Sequence, residues 1–92
     1  MTLLSLLSSA DVQQQLAEFV RLKRKQMKLS RRLLAERSTV PATTIKKFET
    51  TGQISLRQFI LLWQCVDRLE NLSTLTKEAE RIPRTIDEVL GR

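Results

Sequence analysis

Residues Leu29–Glu49 read LSRRLLAERSTVPATTIKKFE. Two short helical patterns lie in this stretch, parted by a few turn-forming residues. Ser30 is the kind of residue that caps a helix, because its hydroxyl accepts from an amide of the first turn. A helix over about Arg31–Arg37 follows, with Leu33, Leu34 and Ala35 as its buried side. Ser38-Thr39-Val40 then leads to Pro41, and proline suits a first helical turn because its missing N–H costs nothing there. A second helix covers about Pro41–Thr50, and Gly52 supplies the stop signal. Val40, Ile45 and Phe48 are its apolar anchors. Between them stand short or hydroxyl-bearing side chains, Ala42, Thr43 and Thr44, and then Lys46 and Lys47. A helix that only packs on a core carries longer, mixed-charge residues outside. A face this short and positive suits a groove of DNA.

Two short helices joined by a tight turn, the second one basic, suggest a helix-turn-helix. Such a motif needs a small residue where its helices cross, and Ala35 is one. It needs apolar residues before the turn, just after it and twice in the second helix, and Leu34, Val40, Ile45 and Phe48 fill these places. Ala42, Thr43, Lys46 and Lys47 are left pointing outward.

Upstream, Val12, Leu16, Phe19 and Val20 share one helical face, which predicts a first helix over about Asp11–Met27. Ser8 with Asp11, or Ser9 alone, can cap it. Its C-terminal end carries RLKRK, Arg21–Lys25, where the helix dipole favours cations. Downstream, Ser55 can cap a fourth helix over about Leu56–Leu69. Within it Phe59–Val66 reads FILLWQCV, apolar on nearly every side. A helix of that kind is covered on more than one face. A second subunit is the economical cover, with Leu61, Leu62 and Cys65 as interface candidates. For Trp63 and Cys65 plain packing is the expectation.

The ends are less informative. Met1–Ala10, MTLLSLLSSA, is apolar but too short to span a bilayer and lacks the positive start of a secretory signal. It reads as an N-terminal arm or a short helix, with a partner subunit as one surface it can pack on. Near the other end Pro83–Gly91 reads PRTIDEVLG. There Thr85 and Glu88 form a capping box, and Ile86, Val89 and Leu90 share a face. The expected organisation is an arm over 1–10, a helical domain over 11–72 and a tail with a short amphipathic helix over 73–92.

Composition narrows the function. The 92 residues contain two Gly and two Pro, which leaves little material for hairpins and favours an all-α fold. No His is present and Cys65 is the only Cys, so there is no zinc-type ligand set, no Cys-His or Ser-His nucleophile pair and no internal disulfide. No Gly-rich phosphate loop occurs. The expectation is a non-enzymatic protein without cofactor or metal, in a reducing, cytoplasmic compartment. Charge is unevenly placed. Arg21–Lys47 carries ten basic residues against one acid, Glu36, in a chain of net +6, so the remainder is −3. A concentrated basic block beside acidic flanks points to a polyanionic partner. A solvated basic face is the plain alternative.

With these residues in place, Leu29–Glu49 resembles the Xre/Cro class of phage-repressor-type DNA-binding domains. Members commonly read L-S-x-x-x-L-A-x-x-x-G-V-S-x-x-T-I-x-x-x-E, and Leu29, Ser30, Leu34, Ala35, Val40, Thr44, Ile45 and Glu49 match. The following TGQISLRQF, Thr51–Phe59, resembles the loop and fourth helix of many bacterial members, and the likeness covers about residues 12–70. One departure is Thr39, where the pattern has the glycine that a positive φ favours. Either the turn differs there or Thr39 is strained.

The resemblance implies a five-helix, lambda-repressor-like helix-turn-helix domain that binds a near-palindromic operator as a homodimer, with helix 3 in the major groove. It implies that Ala42, Thr43 and Lys47 face base edges, with Lys46 nearer the backbone. It places Arg31 where many members use Gln near the DNA, and Arg can hold guanine or phosphate with two hydrogen bonds. Ser30, Arg32, Thr50, Thr51, Gln53 and Ser55 are further phosphate candidates. It also implies an ion pair between Arg24 and Glu49. A narrower likeness joins IKKFETTGQISL and PRTIDEVL to HipB-type antitoxins, encoded beside HipA-type kinase toxins. The resulting expectation is a repressor, and in the narrower form the autoregulating antitoxin of a toxin–antitoxin operon. A stand-alone phage-type repressor, a module gripping an acidic protein and a peripheral membrane protein using helix 1 are the alternatives.

Overall fold

A computed structural model describes residues 6–77 of the chain. Four helices are α1 (Ser9–Gln26), α2 (Arg31–Ser38), α3 (Ala42–Thr51) and α4 (Leu56–Val66), and a fifth, α5, runs over 69–77. The described residues are all-α and contain no strand. The Pro83–Gly91 motif and the first half of the expected N-terminal arm lie outside them.

Each helix starts for a local reason. Ser8 accepts from the Asp11 amide while Asp11 accepts from the Ser8 amide, a reciprocal capping box that starts α1 at Ser9, inside the stretch expected to be an arm. Ser30 and Ser55 cap α2 and α4 through the amides of Leu33 and Gln58. Pro41 stands one place earlier than expected. It is the N-cap of α3, with extended ψ and no side-chain cap bond.

The ends are equally local. Thr39, at φ 65°, and Gly52, at φ 78°, close α2 and α3 in the left-handed conformation. The turn thus keeps the geometry that glycine favours, on a β-branched residue. Lys28 is also left-handed, at φ 58°, and turns the chain after α1 so that the Leu29 amide reaches the Arg24 carbonyl. Nothing in the sequence pattern marked that turn.

α1 and α2 each pack on both α3 and α4. The core is Ala17 and Val20 of α1, Leu34 of α2, Ile45 and Phe48 of α3, and Phe59, Leu62, Trp63 and Val66 of α4, with Leu29 and Val40 from the connections. Phe19 stacks on Trp63 with ring centroids 5.2 Å apart, and Phe59 meets both Phe48 and Trp63 at 5.9 and 5.8 Å. Such offset and edge contacts add to area burial.

Several expectations shift. The buried stripe of α1 is rotated towards Ala17, Val20 and Arg24, leaving Val12 41% exposed. Leu33 is exposed, whereas Ser38 is buried and its hydroxyl accepts from the Val40 amide. The fourth helix ends at Val66, short of the expected Leu69, and α5 begins after a two-residue break. Asp67 is extended, its carboxylate accepts from the Arg68 amide and the Asn71 side chain, and the Trp63 indole N–H donates to the Arg68 carbonyl. These local bonds compete with continuation of α4. The first of them, the Arg68 amide, leads in holding the Asp67 carboxyl below the usual range.

Much of FILLWQCV is covered within the chain itself and not by a second subunit. Leu62 is 0% exposed, held by the chain's own helices, and so is not available to a partner. Phe59, Trp63 and Val66 are likewise buried, while Ile60, Leu61 and Cys65 are half-buried. Burial pushes the Cys65 thiol up, against the pull of the Arg37 charge, which keeps it protonated near neutral pH. Among the described residues no helix is long and apolar enough to cross a membrane.

Candidate nucleic-acid interface

α3 owes its orientation to two buried anchors, Ile45 and Phe48, set three residues apart on one face. With that face inward, Thr43, Lys46 and Lys47 are exposed, and Ala42 is half-buried at the start of the helix. Glu49 lies beside Phe48 and is buried as well. The outer side of α3 therefore carries two ammonium groups and short side chains, with its one carboxylate turned inward.

Glu49 lies in a three-residue cluster. Arg24 grips it with two hydrogen bonds, from Nε to Oε2 at 2.8 Å and from Nη2 to Oε1 at 3.1 Å. Arg24 Nη1 donates to the Leu29 carbonyl at 2.8 Å, so the guanidinium also ties α1 to the turn that follows it. The third member is Arg31, the first residue of α2, whose Nε donates to Glu49 Oε1 at 2.9 Å. Burial works against a charge on Glu49. Hydrogen bonds from Arg24 and Arg31, together with their charges, outweigh it and hold the carboxyl below its ordinary range. Arg31 was read from the sequence only as a nucleic-acid ligand. Its pairing with a residue 18 positions away is a product of packing.

The basic block divides by use. Arg24 is buried in the cluster, Lys23 Nζ sits over the Phe19 ring at 5.6 Å, and Arg21 pairs with Glu18. Lys25, Lys28, Arg32, Arg37, Lys46 and Lys47 are exposed.

Ser30, Arg32, Thr50, Thr51, Gln53 and Ser55 are all exposed. The hydroxyl protons of three of them have acceptors in the chain. Thr50 donates to the Lys46 and Lys47 carbonyls, Thr51 to the Lys47 carbonyl, and Ser55 to Gln58 Oε1. Thr51 also accepts from the Gln53 amide. These bonds close α3 and start α4, which is the ordinary use of hydroxyls at helix ends. Ser30 accepts from Leu33 and keeps its O–H proton to give elsewhere.

A separate apolar hollow of about 210 Å³ lies between α1 and the α3–α4 connection, lined by Leu16, Phe48, Ile54, Leu56 and Phe59 among others. Gln13 closes one side through Nε2, which donates to the Gly52 carbonyl at 3.2 Å. No family model, no curated protein and no solved structure matches the chain.

Proposed function

We propose that this protein binds duplex DNA as a sequence-specific repressor, with α2 and α3 as a lambda-repressor-like helix-turn-helix and α3 as the reading helix. One observation carries the reading: the outer side of α3 is short, positive and free of acid, because Glu49 is turned inward and paired with Arg24 and Arg31. A carboxylate on that side would repel phosphate. Short residues such as Thr43 let a helix approach base edges closely, while Lys46 and Lys47 supply charge. Repression follows if the bound site overlaps a promoter. The narrower reading, an antitoxin partnered by a HipA-type kinase, rests on the Ile45–Leu56 stretch together with the Pro83–Leu90 motif, the second of which lies outside the described residues. A homodimer would present two α3 helices to half-sites about one helical turn, roughly 34 Å, apart. Leu61 and Cys65 remain the interface candidates on α4.

The test is duplex binding across a salt series, on a site selected from a random pool and on unselected duplex. Lys46→Ala weakens both duplexes alike and lowers the salt slope by about one. Thr43→Ala and Lys47→Ala weaken the selected site more than the unselected one, by about 1–3 kcal/mol for a base contact. If all three variants bind like the parent, α3 is not the reading helix; a parent that binds neither duplex would favour the alternative in which the basic block grips an acidic protein.

A further inference from the structure

Arg24 and Arg31 share one carboxylate but use it differently. Arg24 is buried, and Nε, Nη1 and Nη2 all donate within the chain. Arg31 donates to Glu49 through Nε alone, and its side chain is 39% exposed. A guanidinium has five N–H donors. One is spent on Glu49, which leaves the four on Nη1 and Nη2, a planar edge matched to two oxygens of one phosphate. The charge adds to this. Arg24 alone balances Glu49, so Arg31 makes the cluster net positive. Arg31 also opens α2, where the first amides have no acceptor within the helix.

We infer that Glu49 is a positioning residue for Arg31: it holds the guanidinium by Nε so that the Nη edge meets a phosphodiester of bound duplex already ordered. The inference rests on the duplex-binding reading above. It assigns Glu49, which touches no ligand, a share in affinity that passes through Arg31. An unheld arginine must be ordered when the complex forms, and that ordering reduces affinity by about two- to tenfold per side chain.

The experiment is a four-way comparison of the parent, Arg31→Ala, Glu49→Gln and the double variant, read as affinity for selected and unselected duplexes, at a temperature where melts show each one folded. Glu49→Gln is expected to weaken binding by about two- to tenfold in the parent background and to add nothing to Arg31→Ala. Arg31→Ala is expected to weaken both duplexes equally, because a phosphate carries no sequence. Arg31→Lys keeps the charge but has no Nε to be held and only one donor group, so it too falls below the parent.

A purely structural Glu49 would lower melting temperature without this dependence on Arg31. The inference is overturned if Glu49→Gln weakens binding equally with and without Arg31, or not at all. It is also overturned if Arg31→Lys matches the parent, or if loss at Arg31→Ala is confined to the selected duplex. A parent that binds no duplex defeats the duplex-binding reading itself and the inference with it.

Discussion

Thr39 holds φ 65° with a branched Cβ, a conformation disfavoured by contact between Cβ and the backbone. Glycine removes that contact but adds freedom to the unfolded chain. Thr39→Gly is therefore expected to stabilise the fold by up to about 1 kcal/mol, read as a melting temperature higher by about 4–8 °C per kcal/mol. An unchanged or lower melt would mean that the threonine contributes contacts that offset its backbone cost. The Glu49 carboxyl gives a second expectation. Its native pKa is lowered, so its stabilisation is fully present above the ordinary carboxylate pKa, about 4.3, and is lost as pH falls through the lower native value. The melting advantage of the parent over Glu49→Gln should be constant near neutral pH and shrink below about pH 4. An advantage independent of pH down to about pH 2 would show that charge on Glu49 does not matter. In the sequence the left-handed turn was visible at Thr39 only as a departure from a pattern. Lys28 gave no signal, because a lysine in that conformation is imposed by the path from Arg24 to Leu29. Arg31 was legible as a basic residue at a helix start, but its tie to Glu49 spans two elements and leaves no trace in local spacing.

Helices follow sequence most closely where a side chain caps them. Ser30 and Ser55 each mark a start that can be read from residue type alone, whereas Ser8 with Asp11 was one of two candidate caps for α1, which starts two residues before the expected Asp11. Gly52 marks an end for two reasons. It is left-handed, and a Cβ there would stand 3.1 Å from the Gln13 backbone carbonyl carbon and from Gln13 Cβ. Gly52→Ala is expected to cost about 1–2 kcal/mol, more than conformational freedom alone explains, since α1 must also move away. Equilibrium urea unfolding measures it, and a cost under about 0.5 kcal/mol would show that α1 yields easily. The split between α4 and α5 was not legible. Its cause is the Asp67–Asn71 and Trp63–Arg68 hydrogen bonds, which exist only once the chain has already turned. The rotation of the α1 face was hidden as well. The small Ala17 is fully buried, whereas the larger Val12 is left 41% exposed.

At the scale of the molecule, four helices enclose one aromatic-rich core, and most of the apolar length of α4 is consumed inside it. That changes what an oligomer can use. Leu61→Glu, at a half-buried position, is expected to weaken a dimer while keeping the fold, whereas Leu62→Glu would place a charge in the core and unfold the chain. Light scattering together with a thermal melt separates the two outcomes. A parent that scatters as a monomer at high micromolar concentration would remove the dimer from the proposal. Composition and charge placement foretold the helical class and the basic side. Which hydrophobic residues face inward depended on how four amphipathic elements share a small volume, and no single periodicity contains that.

Trp63 is the only tryptophan in a chain without tyrosine. Its indole lies against Phe19 and Phe59, with the N–H bonded to the Arg68 carbonyl. The protein thus contains a single built-in fluorophore, placed where α1, α4 and the start of α5 meet. Its emission maximum will lie to the blue while those three elements stay docked and move to the red when water reaches the ring. Detachment of α5 alone, which breaks the N–H bond but leaves both ring contacts, should register as a change in intensity with little change in colour. Unlabelled protein can therefore report separately on opening of the α4–α5 joint and on loss of the core.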